Sequence, residues 1–156
     1  MKKSMRLPLF ALAVIMLMAF LGWEKQRDVL EVARVYDGDT IELKDGRKVR
    51  LIGVDAPEVD SPYSRKEPFG DESKAYLEKL IAGKKVSIRI GKDPKDRFGR
   101  TLAYVYAEDV LVNGRIIRDG YARVYERFDY EYKDLFKAYE REARTKGLGL
   151  WREKTR

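Results

Sequence analysis

The chain has 156 residues, 44% of them apolar and 38% charged, which suits one ordinary domain with a real core and a heavily charged surface. It holds neither His nor Cys, so thiolate nucleophiles, Ser-His-Asp triads, His acid–base chemistry and ordinary zinc sites are excluded within it. What remains is carboxylates, Arg, Lys, Tyr, hydroxyls or a hard metal on oxygen, with a formal charge of +7 that fits an anionic partner or simply a soluble basic surface.

Lys2, Lys3 and Arg6 precede an uncharged run from Leu7 to Trp23 that is apolar on every face. Such a run behind a basic flank is a signal peptide or a short transmembrane anchor, and either sends the rest of the chain out of the cytoplasm. No clear small-x-small cleavage site ends it, so the reading leans towards an anchor over residues 1–23, with 24–28 as a charged linker. The expected location is therefore extracytoplasmic, membrane-anchored or secreted. Only Gln26 and Asn113 carry side-chain amides, which with abundant Glu, Lys and Arg marks a heat-adapted composition.

From Val29 the pattern changes to short strands. Residues 29–35 read as a strand, Asp37-Gly38 as a turn, Thr40 to Leu43 as a second strand, Asp45-Gly46 as a hairpin turn, and Lys48 to Val54 as a third strand. Residues 61–70 form a loop with Pro62 and Pro68 as breakers. Asp71 to Ala82 is a predicted helix with Tyr76, Leu77, Leu80 and Ile81 on one face, ended by Gly83. Lys85 to Ile90 alternates, 93–99 is a charged loop, and Leu102 to Tyr106 is a strand. Val112 to Asp119 is a short helix stopped by Gly120. Tyr130 to Thr145 is the last helix, with Tyr132, Leu135, Phe136, Tyr139 and Ala143 on its buried stripe and Gly147 at its end. The fold class is α+β, mainly β: a five-stranded barrel of the OB type with three helices, spanning residues 29–156 and preceded by the hydrophobic N-terminal helix.

Three clusters can carry chemistry. Asp37-Gly38-Asp39-Thr40 lies at the first turn, where an Asp-Gly turn is common and need not bind anything. Arg50 to Glu58, Arg-Leu-Ile-Gly-Val-Asp-Ala-Pro-Glu, puts Arg50 on a strand whose end delivers Asp55 and Glu58. Asp96-Arg97-Phe98-Gly99-Arg100 is a basic turn entering a strand. Asp39 and Asp55 can join two turns around one hard cation, and calcium accepts irregular oxygen ligation at ~2.3–2.6 Å. Arg50 and Arg100 can clamp a phosphate with charge-assisted hydrogen bonds. With no His present, Glu58 is the natural group to orient or deprotonate an attacking water.

In order and spacing, Asp-Gly-Asp-Thr at 37–40, the 50–58 segment and Phe-Gly-Arg-Thr-Leu-Ala-Tyr-Val at 98–105 resemble the thermonuclease, or staphylococcal-nuclease-like, family. The short helix to Gly120 and the closing Leu150-Trp151 fit as well, so the likeness runs from about Val29 to Trp151. The resemblance implies a five-stranded OB barrel with three helices and one calcium ion. It implies ligation by Asp39, Asp55, the carbonyl of Ala56 and, through water, Glu58, with Asp37 beside the site. It implies Arg50, Glu58 and Arg100 as the catalytic trio of a calcium-dependent nuclease. Such an enzyme would cut DNA and RNA with little sequence preference, leave 3′-phosphate ends and act as a monomer, touching the membrane only through an uncleaved N-terminus. Ala56 stands where some family members have Thr, a change a carbonyl ligand survives. Phe98 offers one face for a base and Arg97 a neighbouring phosphate contact. The aromatics Tyr125 and Phe128 serve either the site or the core. The competing reading is an OB module that binds nucleic acid or protein without cutting, which would need no Glu–Arg–Arg set over a carboxylate pair.

Overall fold

The computed structural model describes residues 29–62 and 65–152. The N-terminal hydrophobic segment and its linker lie outside the described residues; among the described residues no helix is long and apolar enough to cross a membrane.

The turn residues organise the first sheet. Strands β1 (Val32–Val35), β2 (Thr40–Leu43) and β3 (Lys48–Leu51) form the expected antiparallel meander. Gly46 supplies the left-handed backbone of the second turn at φ 86°. Alternation buries Val35, Ile41, Leu43, Val49 and Leu51. Strand β6 (Thr101–Ala107) then lies parallel to β3, and β5 (Val86–Lys95) antiparallel to β6, giving the order β1-β2-β3-β6-β5. Leu30 and Val86 exchange two backbone hydrogen bonds, of 2.7 and 2.8 Å, and close this path on itself. The short β7 (Val110–Leu111) pairs with β6. A closed five-strand path with helices α1 (Gly70–Ile81), α2 (Val112–Arg118) and α3 (Lys133–Thr145) is consistent with the OB-like barrel that the sequence predicts. A single 3₁₀ turn, Gly149–Trp151, follows α3.

The third strand departs from expectation by breaking. Gly53 adopts φ 77°, and a Cβ there would run into the rings of Tyr130 and Phe136. The chain turns at Ile52-Gly53 and resumes as β4 (Val54–Asp55), antiparallel to β8 (Arg123–Val124) in a separate ribbon. Strand β5 runs on to Lys95 after a register shift beyond Ile90, so the predicted loop at 93–99 shrinks to the turn around Asp96–Arg100. Leu135, predicted to be buried, is 40% exposed, because the inward stripe of α3 follows Phe136, Glu140 and Ala143. Buried Glu140 is satisfied there: it accepts from the Val124 N–H at 3.1 Å and pairs with Arg144.

Asn113 joins these parts. Fully buried on α2, its Oδ1 accepts from the Val105 N–H at 2.8 Å, and its Nδ2 donates to the carbonyls of Ile52 at 2.9 Å and Ala103 at 3.2 Å. One side chain thus meets backbone groups on β6 and at the break after β3, where the regular ladder has stopped. Asn113→Ala should cost about 3 kcal/mol or more, since each buried group left unsatisfied costs roughly 1–3 kcal/mol. Urea denaturation would show it as a lowered midpoint; an unchanged midpoint would mean that water replaces the amide.

Candidate active site

The strand ends put the charged residues together. Thr40 and Arg50 are directly paired across β2 and β3, so Asp39 at the start of β2 lies beside the end of β3. The Asp39 carboxylate is almost completely buried. Its Oδ2 accepts from the Ala56 N–H at 3.0 Å and from Nη2 of Arg50 at 2.9 Å. Its Oδ1 accepts from the Thr40 hydroxyl at 3.0 Å. Its backbone N–H donates to Oδ1 of Asp37 at 2.8 Å, and its carbonyl accepts from the Leu51 N–H at 2.8 Å. Burial pushes the Asp39 carboxyl above its usual range; Arg50 opposes the push, Asp37 adds to it, and the Ala56 N–H opposes it.

Arg50 is held as firmly. Its Nη1 donates to the carbonyls of Leu51 at 3.1 Å and Val54 at 2.7 Å while Nη2 holds Asp39. The break at Gly53 makes this possible, because it swings the Val54 carbonyl back over the guanidinium. Three contacts leave N–H donors over from the five that an arginine carries.

Arg100 arrives from the opposite side, at the entrance to β6. Its Nε donates to Oδ2 of Asp96 at 2.7 Å, and its Nη1 reaches Oγ1 of Thr40 at 3.4 Å. Oδ1 of Asp96 also accepts the backbone N–H groups of Phe98 and Arg100, which shapes the turn. Burial alone would raise the Asp96 carboxyl, but these donors and the Arg100 charge hold it below the usual range. The result is a connected chain, Arg50–Asp39–Thr40–Arg100, with a guanidinium at each end and a buried carboxylate between.

The other expected residues fall around this chain. Asp55 is half-buried on β4, opposite Arg123, and the Ala56 contact brings it beside Asp39. Glu58 is exposed, with its backbone fixed: its carbonyl accepts from the Glu67 N–H at 2.9 Å, and Gly70 packs against that carbonyl with no room for a Cβ. Phe98 is 69% exposed, with the Arg97 guanidinium 4.7 Å and that of Arg100 5.4 Å from its ring centre. Tyr125 is half-buried and Phe128 exposed, their rings 5.9 Å apart and outside the main core cluster. Thr40 and Asp96 had no role from sequence alone. The only signal for Asp96 was its place four residues before Arg100.

The donor set fits a hard cation sparingly. Both lone pairs of Asp39 Oδ2 are taken, and Oδ1 has one to give. Among the described residues no three Asp or Glu side chains converge. A cation here would be held by Asp39, Asp55, carbonyl oxygen and water, a shell that calcium accepts and that zinc would not favour.

Residues 48–153 match the family described as staphylococcal nuclease homologue. The chain is 39% identical over 125 residues to the thermonuclease of Staphylococcus intermedius, an alignment covering 77% of this chain and 74% of that one. It is 35% identical over 125 residues to the thermonuclease of Staphylococcus hyicus, with 78% and 74% covered. It is 40% identical over 124 residues to an uncharacterized endonuclease of Escherichia coli, with 77% and 74% covered.

Thr40→Val removes the hydroxyl between the two guanidinium groups and keeps the side-chain shape. It should cost about 1 kcal/mol in chemical denaturation and leave the Arg50–Asp39 pair in place. The arginine Nε–H resonances would report this: the Arg100 signal should move while that of Arg50 stays. A shift confined to Arg50 would refute the bridging role.

Proposed function

The chain belongs to the staphylococcal nuclease homologue family, and on that premise we propose that it is a calcium-dependent nuclease cutting DNA and RNA with little sequence preference. The observation that carries the reading is the connected chain of Arg50, Asp39, Thr40 and Arg100. A protein that only binds nucleic acid needs cations and aromatics, not two oriented guanidinium groups on either side of a buried carboxylate.

In this reading the scissile phosphate rests between the remaining N–H donors of Arg50 and Arg100. Water attacks phosphorus in line with the 5′-oxygen. Glu58 accepts the proton that the water loses, the P–O5′ bond breaks, and the O5′ leaving group takes up a proton, which leaves a 3′-phosphate and a 5′-hydroxyl. Charge grows on the equatorial oxygens during attack, and the two guanidinium groups stabilise it without reorganising, because Asp39 and Asp96 already hold them. Bound calcium, ligated by Asp39, Asp55 and the Ala56 carbonyl, with Glu58 through water, would add positive charge beside the phosphate. Arg97 and Phe98 offer a phosphate contact and a stacking face at the site's edge. The apolar run at 7–23 supports an extracytoplasmic enzyme, anchored or secreted, whose folded domain starts near Val29.

The first test is cleavage of single-stranded DNA with calcium, repeated with excess chelator. Calcium-dependent cutting is expected; retained binding with no cutting would favour the non-catalytic module. Arg100→Ala should lower kcat by roughly a hundredfold to a thousandfold with the melting midpoint little changed. Arg50→Ala should lose activity and also about 3–5 kcal/mol of stability, because it strands the buried Asp39 carboxylate. Near-normal turnover in either variant would remove that residue from the chemistry. Glu58→Gln should keep DNA affinity and slow cleavage; an equal loss of both would undercut its role as base.

The raised Asp39 carboxyl gives a pH dependence. Burial sets this carboxyl above the ordinary 3.8 of the unfolded chain, while the Arg50 guanidinium holds its ionised form in the pair. Without calcium, stability therefore falls as pH rises from that ordinary value through the raised one. Calcium competes with the proton, so the calcium-induced rise in Tm should grow as pH rises through the raised value and the proton leaves. A rise independent of pH would exclude Asp39 as a ligand.

A further inference from the structure

An open groove of ≈750 Å³ runs between β1 and α1. Its charged lining is five cations, Arg34, Lys44, Lys74, Lys84 and Lys85, against two carboxylates, Glu31 and Glu78. Lys44 pairs with Glu31 inside the groove, and Lys84 is 3.1 Å from Glu108, which is not part of the lining. The lining holds no aromatic residue, so it has nothing on which a base could stack.

One end of the groove lies next to the Asp37–Asp39 turn. Strand β1 leads directly into the Asp37–Asp39 turn. Gly38 in that turn packs so closely on α1 that a Cβ would collide with the Ser73 hydroxyl. The next residue, Lys74, is in the groove, as are Arg34 and Val35 at the end of β1. From there α1 carries the lining away from the catalytic residues to Lys84 and Lys85. A positive channel that begins beside the Asp37–Asp39 turn and runs along a helix is shaped for a chain of phosphates. A bilayer is flat and would meet convex surface, whereas these lysines line a concavity.

We propose that this groove is a second substrate-binding site, a track for the sugar-phosphate backbone of a polynucleotide extending beyond the scissile bond. It rests on the nuclease reading and adds length dependence to it. Contacts are to phosphate, so the track is indifferent to sequence, and it discriminates long strands from short ones.

The test is the full chain against K74Q/K84Q/K85Q, assayed on a single strand of about 30 nucleotides and on a trinucleotide. The variant should raise KM for the long strand about tenfold and flatten the log–log salt dependence of its binding by about 2, three lysines at ~0.7 each. Trinucleotide kcat/KM and the melting midpoint should stay the same. An unchanged KM for the long strand, or an equal loss on both substrates, overturns the track. So does weaker binding to phosphatidylglycerol vesicles with no change on the long strand, which would make the face a lipid contact. If the wild-type chain cuts neither substrate, the nuclease reading fails. The salt dependence of long-strand binding, wild type against variant, then still decides the groove.

Discussion

The site and much of the barrel depend on one buried ion pair, Asp39 with Arg50. The carboxylate is 7% and the arginine 15% exposed by side chain, so both have lost most of their water. Desolvation of this kind is repaid only when the remaining donors and acceptors are met. Here most of them are: Thr40 and Ala56 donate to the carboxylate, and Leu51 and Val54 accept from the guanidinium, which keeps donors to spare for a ligand. Those four residues sit on β2, β3, β4 and the segment beyond it. The pair therefore fixes where β4 leaves the barrel, and with it where Asp55, Ala56 and Glu58 are delivered.

That departure needs a second device, because breaking β3 costs ladder hydrogen bonds. Gly53 makes the turn against Tyr130 and Phe136, and Asn113 takes up the carbonyl of Ile52. The helices thus do more than cover the barrel. Through α2 and α3 they hold the bend that turns a regular strand into a platform for the carboxylates. On the far side, α1 is pinned by the Ser73 hydroxyl on the Tyr121 carbonyl at 2.6 Å and by Tyr76 stacked on Tyr121 at 3.9 Å between centroids. Its first turn supports the backbone of Glu58 through Gly70.

The elements that follow local chemistry were legible in the sequence. Asp-Gly turns marked the meander, and Gly83, Gly120 and Gly147 marked the helix ends; all three adopt positive φ. The charged motifs at 37–40, 50–58 and 96–100 were legible too, and the structure joins Asp39, Arg50 and Arg100. What escaped depends on contacts distant in sequence. The break at Gly53 is set by rings more than seventy residues later. Strand β5 reaches Lys95 through a polar stretch with no alternation, held by pairing to β6. Thr40 showed only as the residue where the first turn passes into the second strand, because its value lies in touching both Asp39 and an arginine sixty positions on. The hydrophobic N-terminal segment falls outside the described residues, and its role rests on composition.

The barrel closes through the Leu30–Val86 bridge, and beyond it the outer rim of β1 pairs with no further strand among the described residues. An open strand rim is a template on which a second chain could add its own strand. This rim is only four residues long, and Arg34, Lys44, Lys84 and Lys85 crowd around it. An incoming strand of the same basic protein would bring its own positive charge to that crowd. The lysines that line the groove therefore also protect the chain from sticking to itself.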